Sequence, residues 1–519
     1  MNRALQEHLA SQKNQGARMT DKTTPNPRQQ PHLELHNVSV LSPGAPGQLL
    51  VRDIALSIAH GGVLTLLGES GSGKSLLAQA IVGNLPPPLQ ASGQIRIKGQ
   101  QYRAEQSRQH LWGRELALLP QEPWQALDPT MKVVHQIAET HELVHAAIED
   151  KAGKTSARAR ALAAGLDDLR SLGMADAANL YPFQISGGMA QRVAFLATHA
   201  ANAPLLIIDE PTKGLDSNRR DDVLALLQTA IDEGMTLLTI THDVALARAL
   251  GGTVAVMLEG SIIETGLAAT VLDQPQHAYT RRLLAAEPQA WPAVTPAVAT
   301  DPAPVIAQID NVGKSFGRQP LFGDVSAQIR RGEVIAITGP SGSGKTTFGN
   351  IVLGLLAPDS GQVVRAPGLA PTAFQKIYQD PGAAFAPTIS LRQSLRDLVA
   401  LHALNWDDLP PLLARLRLQM ALLDRLPSQV SGGELQRFAL ARILMLKPAL
   451  IFADEPTSRL DPITQQETLA LLLEHAAACH CAVLLVTHDP WIAEKLAQRQ
   501  IVLGERSPQE AKETGAATA

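Results

Sequence analysis

Short apolar runs that stop abruptly at glycine or at acidic residues punctuate this chain. VLTLLG at 63–68 and VIAITG at 334–339 read as buried strands ending in glycine, and a helical-looking run follows each. LLIIDE at Leu205–Glu210 and LIFADE at Leu450–Glu455 are apolar strands that end in two carboxylates. LLTITHD from Leu237 and LLVTHD from Leu484 are further apolar runs ending in Thr-His-Asp. Strands alternating with helical runs predict an α/β fold with a mostly parallel sheet. One phrase breaks the pattern. ISGGMAQR at Ile185 and VSGGELQR at Val430 put two glycines where a helix begins, although each glycine costs a helix roughly 1 kcal/mol relative to alanine.

These elements come in pairs, so the chain is an internal repeat. Ser186 to Ser431 and Asp209 to Asp454 are both 245 residues apart, and His242 to His488 is 246. Lys74 to Lys345 is 271, so the first copy carries 26 more residues between its lysine loop and its Ser-Gly-Gly. That predicts an insertion in a peripheral segment, with the core unchanged. The division follows: a polar, disordered tail over 1–31, a first domain over 32–285, an Ala- and Pro-rich semi-extended linker over 286–304, a second domain over 305–505, and a disordered tail over 506–519. Either Met1 or Met19 serves as the start on this reading.

Composition removes several function classes. Apolar residues are 45 % of the 519, enough for large cores. A net charge of −4 and 3 % aromatic residues argue against a nucleic-acid binder. The only cysteines, Cys479 and Cys481, flank His480 at the end of a helical run; with no second ligand pair they read as structural, not metal-binding. No apolar stretch reaches the length needed to span a bilayer, and the first 31 residues carry no hydrophobic signal region. The expectation is a soluble, cytosolic chain.

GESGSGKS (Gly68–Ser75) and GPSGSGKT (Gly339–Thr346) each sit between a strand and a helix and fit the phosphate-binding loop G-x-x-x-x-G-K-[ST]. Gly68, Ser70, Gly71 and Gly73, with Gly339, Ser341, Gly342 and Gly344, let backbone N–H groups curl around phosphates at the positive end of the next helix. Lys74 and Lys345 neutralise phosphate charge, and the hydroxyls of Ser75 and Thr346 suit Mg²⁺. Asp209 and Asp454 would hold Mg²⁺ through water, and Glu210 and Glu455 stand where a base polarises an attacking water. Gln121 and Gln379 follow apolar runs and suit a role at Mg²⁺ or water. His242 and His488 end the Thr-His strands. A lone glutamine in a loop or a lone histidine is more often structural, but matched pairs in register with the carboxylate strands point to one site each.

In order and spacing the chain resembles the ATP-binding cassette (ABC) ATPases over about 33–285 and 305–505. The resemblance implies two tandem P-loop NTPase domains, each a mostly parallel sheet core with an α-helical subdomain. It implies ATP and Mg²⁺ as cofactors and two sites shared head to tail. Site one would join Lys74, Ser75, Gln121, Asp209, Glu210 and His242 to Ser431, Gly432 and Gly433. Site two would join Lys345, Thr346, Gln379, Asp454, Glu455 and His488 to Ser186, Gly187 and Gly188. Asp216 and Asp461 match the family loop that links the sites. The family signature reads Leu-Ser-Gly-Gly-Gln, whereas here the flanks are Ile185 and Met189, then Val430 and Glu434. Phe316 matches the adenine-stacking aromatic in the second repeat; NVSVLSPG in the first offers none, which implies two unequal sites.

Within that family, the short, uncharged linker speaks against soluble translation factors of the ABC-F type, and an accessory ATPase of another complex is the remaining non-transport alternative. PQHAYTRRLLAA (275–286) resembles the run after cassettes of dipeptide, oligopeptide and nickel importers, although an ordinary amphipathic helix would read the same. The resemblance implies the ATP-hydrolysing subunit of an importer, peripheral on the cytoplasmic face of the inner membrane. Its partners would be two permease subunits and a substrate-binding protein, with no nucleic acid. Small peptides, nickel and metal-chelate or opine-type cargo all fit, and the signature flanks incline toward nickel or a metallophore.

Overall fold

The computed structural model describes residues 31–504, apart from 44–47, 122–125, 147–153, 213–214, 216, 294–302, 318 and 459. Asp216 and both predicted tails therefore lie outside the described residues, save for Pro31, which opens the first strand.

Each repeat folds as a cassette of two sheets and a helical layer. In the first, the six-stranded sheet runs in the order Ser261–Leu267, Thr253–Leu258, Val63–Leu67, Thr236–Thr241, Leu205–Asp209, Leu116–Leu119. All neighbours are parallel except the hairpin of its first two strands. In the second, five parallel strands run Phe374–Ile377, Leu450–Asp454, Ala482–Val486, Val334–Thr338, Arg499–Val502. These strands are buried on both faces, which is why they read as unbroken apolar runs. An antiparallel sheet covers each one: four strands built on Pro31–Ser42 in the first cassette, three built on Val305–Phe316 in the second. The helix after each phosphate loop, Lys74–Val82 or Lys345–Val352, lies in the core between the sheets, with Leu77, Ile81, Phe348 and Val352 buried.

This strand order sets the geometry of the site. The carboxylate strand lies between the strand leading to Gln121 or Gln379 and the strand leading to His242 or His488. The phosphate-loop strand comes next. All run the same way, so the loops carrying the candidate residues leave from one edge of the sheet, where open α/β sheets bind ligands.

The extra residues of the first cassette are peripheral and fall in two places. One is the strand Gln100–Arg103 on the edge of the antiparallel sheet. The other is the helical layer, where Val133–Ala146 and Lys154–Ser171 stand against the shorter Leu391–Leu401 and Leu409–Arg415 of the second. The segment after 285 opens with a 3₁₀ turn, Pro288–Ala290, and Trp291 is buried in the core of the second cassette, its indole N–H bonded to the Ala286 carbonyl at 2.9 Å.

One packing contact differs sharply between the copies. At Gly349 in the second phosphate-loop helix, an added Cβ would run into the Phe452 ring. The matching residue of the first helix is Ala78, which is buried without conflict. Gly349→Ala is therefore expected to destabilise the second cassette by about 1–3 kcal/mol through overpacking, although alanine is the better helix former. Urea unfolding followed by tryptophan fluorescence measures it.

Candidate nucleotide sites and the cassette interface

Glycine shapes both phosphate loops. Gly73 (φ 101°) and Gly344 (φ 92°) cap their helices in the left-handed region, and neither helix start carries a side-chain cap. The first backbone N–H groups of each helix are thus left for an anion. A Cβ at Gly73 would come 2.9 Å from the Leu50 carbonyl. Lys74 donates to the carbonyls of Gly68 and Glu69, both at 2.7 Å, and Lys345 to those of Gly339 and Pro340 at 2.8 and 2.9 Å. Each lysine folds back on its own loop, so the loop's shape is set by the ammonium. Burial holds Lys74 below the usual lysine value, while Glu210 and Asp209 oppose that shift. Gly71 and Gly342, in left-handed turns, and Ser70 lie at the exposed rim, with Ser341 half-buried.

Each carboxylate pair ends its strand in a strained turn. Glu210 (φ 51°) and Glu455 (φ 47°) both adopt a left-handed conformation that costs a non-glycine residue on the order of 1–3 kcal/mol. The turn lays Glu210 across the next strand, its N–H on the Ile240 carbonyl at 2.7 Å. Its carboxylate stands 2.8 Å from Nδ1 of His242. Glu455 pairs with Nε2 of His488 and accepts from Nε2 of Gln379 at 2.8 Å. The same strain at the same position twice, each time presenting a glutamate to a histidine, is an arrangement suited to orienting a water.

The candidate metal donors also gather. Ser75, Gln121 and Asp209 line one cavity in the first cassette. In the second, the Thr346 hydroxyl donates to Asp454 Oδ1 at 3.0 Å. Hydroxyl, amide and carboxylate oxygens form a hard donor set that suits Mg²⁺. Gln379 is turned onto Glu455, and in the second cassette its amide donates to that glutamate and to the Ser458 hydroxyl. No motif singled out Lys376, yet its Nζ lies 3.1 Å from Asp454 Oδ2.

The Ser-Gly-Gly runs are helix starts. Ser186 and Ser431 cap Gly187–His199 and Gly432–Leu444, each accepting a backbone N–H at 3.3 Å. The second glycine of each run is closely packed: a Cβ at Gly188 would displace the flexible end of the Arg219 side chain, and one at Gly433 would come 2.7 Å from the Thr464 methyl. Glu434, the departure from the family pattern, closes a capping box in which its carboxylate takes both the N–H and the hydroxyl of Ser431 at 2.8 Å.

The Asp461 turn crosses the seam between the cassettes. Asp461 caps the helix Pro462–Ala478, is buried, and acts electrostatically on Glu69 and Lys74 of the first phosphate loop. Beside it, Ile463 packs with Tyr279 and Leu283, and Arg282 pairs with Glu467 at 2.9 Å. Tyr279 in turn accepts the backbone N–H of Glu69 at 2.9 Å. The HAYTRRLL run thus braces the first phosphate loop and meets the second cassette, a role its amphipathic pattern did not reveal. Phe316 ends its strand 57 % exposed, free to stack on a ring; the aligned residue of the first cassette is Ser42.

The match to known proteins follows these sites. A family model described as "ABC transporter" matches residues 51–213 and 322–458. The chain belongs to that family. Its two cassettes are fused, as an ATPase of this family it binds and hydrolyses ATP, and no described helix is long and apolar enough to cross a membrane. A peptidoglycan transport ATP-binding protein, YejF, of Agrobacterium fabrum (strain C58 / ATCC 33970) is 33 % identical over 91 % of each chain. The glutathione import ATP-binding protein GsiA of Escherichia coli (strain K12) is 30 % identical over 87 % of this chain and 81 % of that relative. Among solved structures, an archaeal ribosome recycling factor, aABCE1, covers 92 % of each chain with a TM-score of 0.60. At 20 % identity that likeness concerns the fold alone.

A cavity at the seam collects Thr212, His242 and Glu287 from one side and Glu455, Ser458 and His488 from the other. Burial, with Asp243 and Asp489 nearby, pushes Glu287 from 4.5 up to about 7, against the pull of Arg220 and His242. A carboxyl whose pKa is raised on folding loses stability as pH climbs from its unfolded value through its folded one. Replacing it with neutral glutamine, Glu287→Gln, is expected to raise the melting temperature at pH 8 and to leave it unchanged at pH 4. Differential scanning calorimetry at the two pH values checks this.

Proposed function

We propose that this chain is the ATP-hydrolysing subunit of an importer, closing and opening its two cassettes to drive peptide-type cargo through separate permease subunits. The observation that carries the reading is the matched pair of sites, each with a buried lysine on its phosphate loop and a strained glutamate held by a histidine. Site one is completed by Ser431, Gly432 and Gly433, and site two by Ser186, Gly187 and Gly188. The Asp461 turn already spans from the second cassette to the first phosphate loop, the polarity that head-to-tail pairing requires.

Lys74 and Lys345 bind the phosphates together with the helix-start N–H groups. Ser75, Asp209 and Gln121, and Thr346, Asp454 and Gln379, would hold Mg²⁺, which when bound supplies positive charge to the phosphate oxygens. Glu210 and Glu455 take the proton of the attacking water, and His242 and His488 fix their carboxylates. Phe316 stacks on the second adenine. Closing the seam excludes water from both sites, and the segments after Gln121 and Gln379 carry that motion to the permeases on the cytoplasmic face of the inner membrane. A substrate-binding protein delivers the cargo. Relatives named for peptidoglycan transport and glutathione import favour a small peptide or peptide-like solute over the nickel or metallophore that the signature flanks alone favoured.

Glu210→Gln with Glu455→Gln should lower steady-state ATP turnover by about 100-fold or more, the usual contribution of a general base, while the chain retains bound ATP in a closed form. Labelled-ATP retention on gel filtration and a phosphate-release assay read the two effects. Robust turnover by the double variant would remove the assignment of the bases. Uptake of a labelled tripeptide and of labelled nickel, in cells with and without this chain, tests the cargo. A change in neither would remove both cargoes, leave the ATPase, and turn the search to co-purification of the complex it serves.

A further inference from the structure

The two metal-binding corners of this chain are chemically different. Residue for residue they correspond: Ser75 with Thr346, Gln79 with Asn350, Gln121 with Gln379 and Asp209 with Asp454. The exception is on the edge strand two residues before the loop that carries the glutamine. There the first cassette has Leu118, paired across the sheet with Ile207, and the second has Lys376, paired with Phe452.

In the first cassette Leu118, Gln79, Ser75, Gln121 and Asp209 surround an open cavity. In the second, the Lys376 side chain enters the corresponding corner. It is 11 % exposed, its Nζ lies 3.1 Å from Asp454 Oδ2, and it donates to Asn350 Oδ1 at 3.1 Å. The rings of Phe452 and Tyr378 flank the ammonium, each centroid 5.3 Å away. The Thr346 hydroxyl takes the other oxygen of Asp454 at 3.0 Å. Both oxygens of the carboxylate that would serve the metal are therefore engaged, one of them by a full positive charge.

We propose that Lys376 is a built-in cation of the second nucleotide site: it takes over part of the charge neutralisation that Mg²⁺ supplies at the first and makes ATP binding at the second site much less metal-dependent. The proposal rests on the reading that both phosphate loops bind ATP. The physical argument has two parts. A unit charge ~5 Å from a divalent ion weakens that ion's binding by about tenfold even at the dielectric of water. The same charge, together with Lys345, offsets the negative charge of a phosphate chain brought to the loop. Lys376 acts here as a positioning and charge-balancing residue, through Asp454.

The test isolates each site in the full chain. Lys74→Ala leaves the second phosphate loop to be measured, and Lys345→Ala leaves the first. ATP affinity is titrated with Mg²⁺ and again with EDTA. The ratio of the two dissociation constants should be within about threefold in Lys74→Ala and at least about tenfold in Lys345→Ala. Adding Lys376→Leu, or the more pliable Lys376→Met, to Lys74→Ala should restore a ratio of about tenfold or more. Leu118→Lys added to Lys345→Ala should lower the ratio in the first site, a readout independent of whether the Lys376 variants fold. Mn²⁺ titration followed by electron paramagnetic resonance in the presence of ATP should show one tight and one weak ion per otherwise unaltered chain, and two tight ions for Lys376→Leu. Equal ratios at the two sites, or ratios unmoved by all three substitutions, would overturn the proposal while leaving ATP binding intact. Failure of the unaltered chain to bind ATP would instead overturn the nucleotide reading, and this inference with it.

Discussion

The structure depends on holding charge at the edge of a parallel sheet whose strands are otherwise apolar on both faces. Lys74, Asp209 and Glu210, and their counterparts Lys345, Asp454 and Glu455, all leave from that edge, largely out of water. Such groups are costly unless each finds a partner. Two kinds of partner answer this, one local to the loop and one set by strand order. The lysine turns back on loop carbonyls, and the glutamate meets a histidine from the neighbouring strand. Moving one strand by one place would leave a buried charge alone, so strand order and site chemistry constrain each other.

Much of this was legible in the sequence because the decisive features are local. The apolar runs, the glycines before Lys74 and Lys345, and the carboxylates after Leu205–Ile208 and Leu450–Ala453 each declare themselves within a few residues. The repeat then removes coincidence as an explanation. The split of the extra residues between the Gln100–Arg103 strand and the longer helices of the first cassette was visible only as a total. The contacts that were not legible join residues far apart in sequence. Nothing near Tyr279 announces a bond to the Glu69 backbone 210 positions away. Nothing near Lys376 announces Asp454, because a lone lysine in an apolar strand looks like a surface residue until the sheet places it.

The two cassettes keep the same plan and differ in detail at several sites of consequence. Phe316 stands where the first cassette has Ser42, Lys376 where it has Leu118, and Glu434 where it has Met189. The Glu434 capping box puts a carboxylate on the Ser431 hydroxyl and N–H, whereas Ser186 accepts the backbone N–H of Met189. The strained glutamates and their histidines are preserved in both, and the phosphate loops differ at Glu69 against Pro340 and Ser75 against Thr346. The cassettes thus diverge at the candidate adenine-stacking position, at the candidate metal corner and at the start of the Ser-Gly-Gly helix.

Trp291 bears on how such a chain can be divided. It belongs by sequence to the segment that follows the first cassette, yet its side chain completes the core of the second, with the turn Pro288–Ala290 resting on the helix Pro490–Leu496. A gene split after the proline-rich stretch would strand that indole on the wrong polypeptide. The second half would begin its life with a hole under its last helix, and the first would trail an exposed aromatic. The join between the halves is thus held by the core of the second cassette as well as by the backbone.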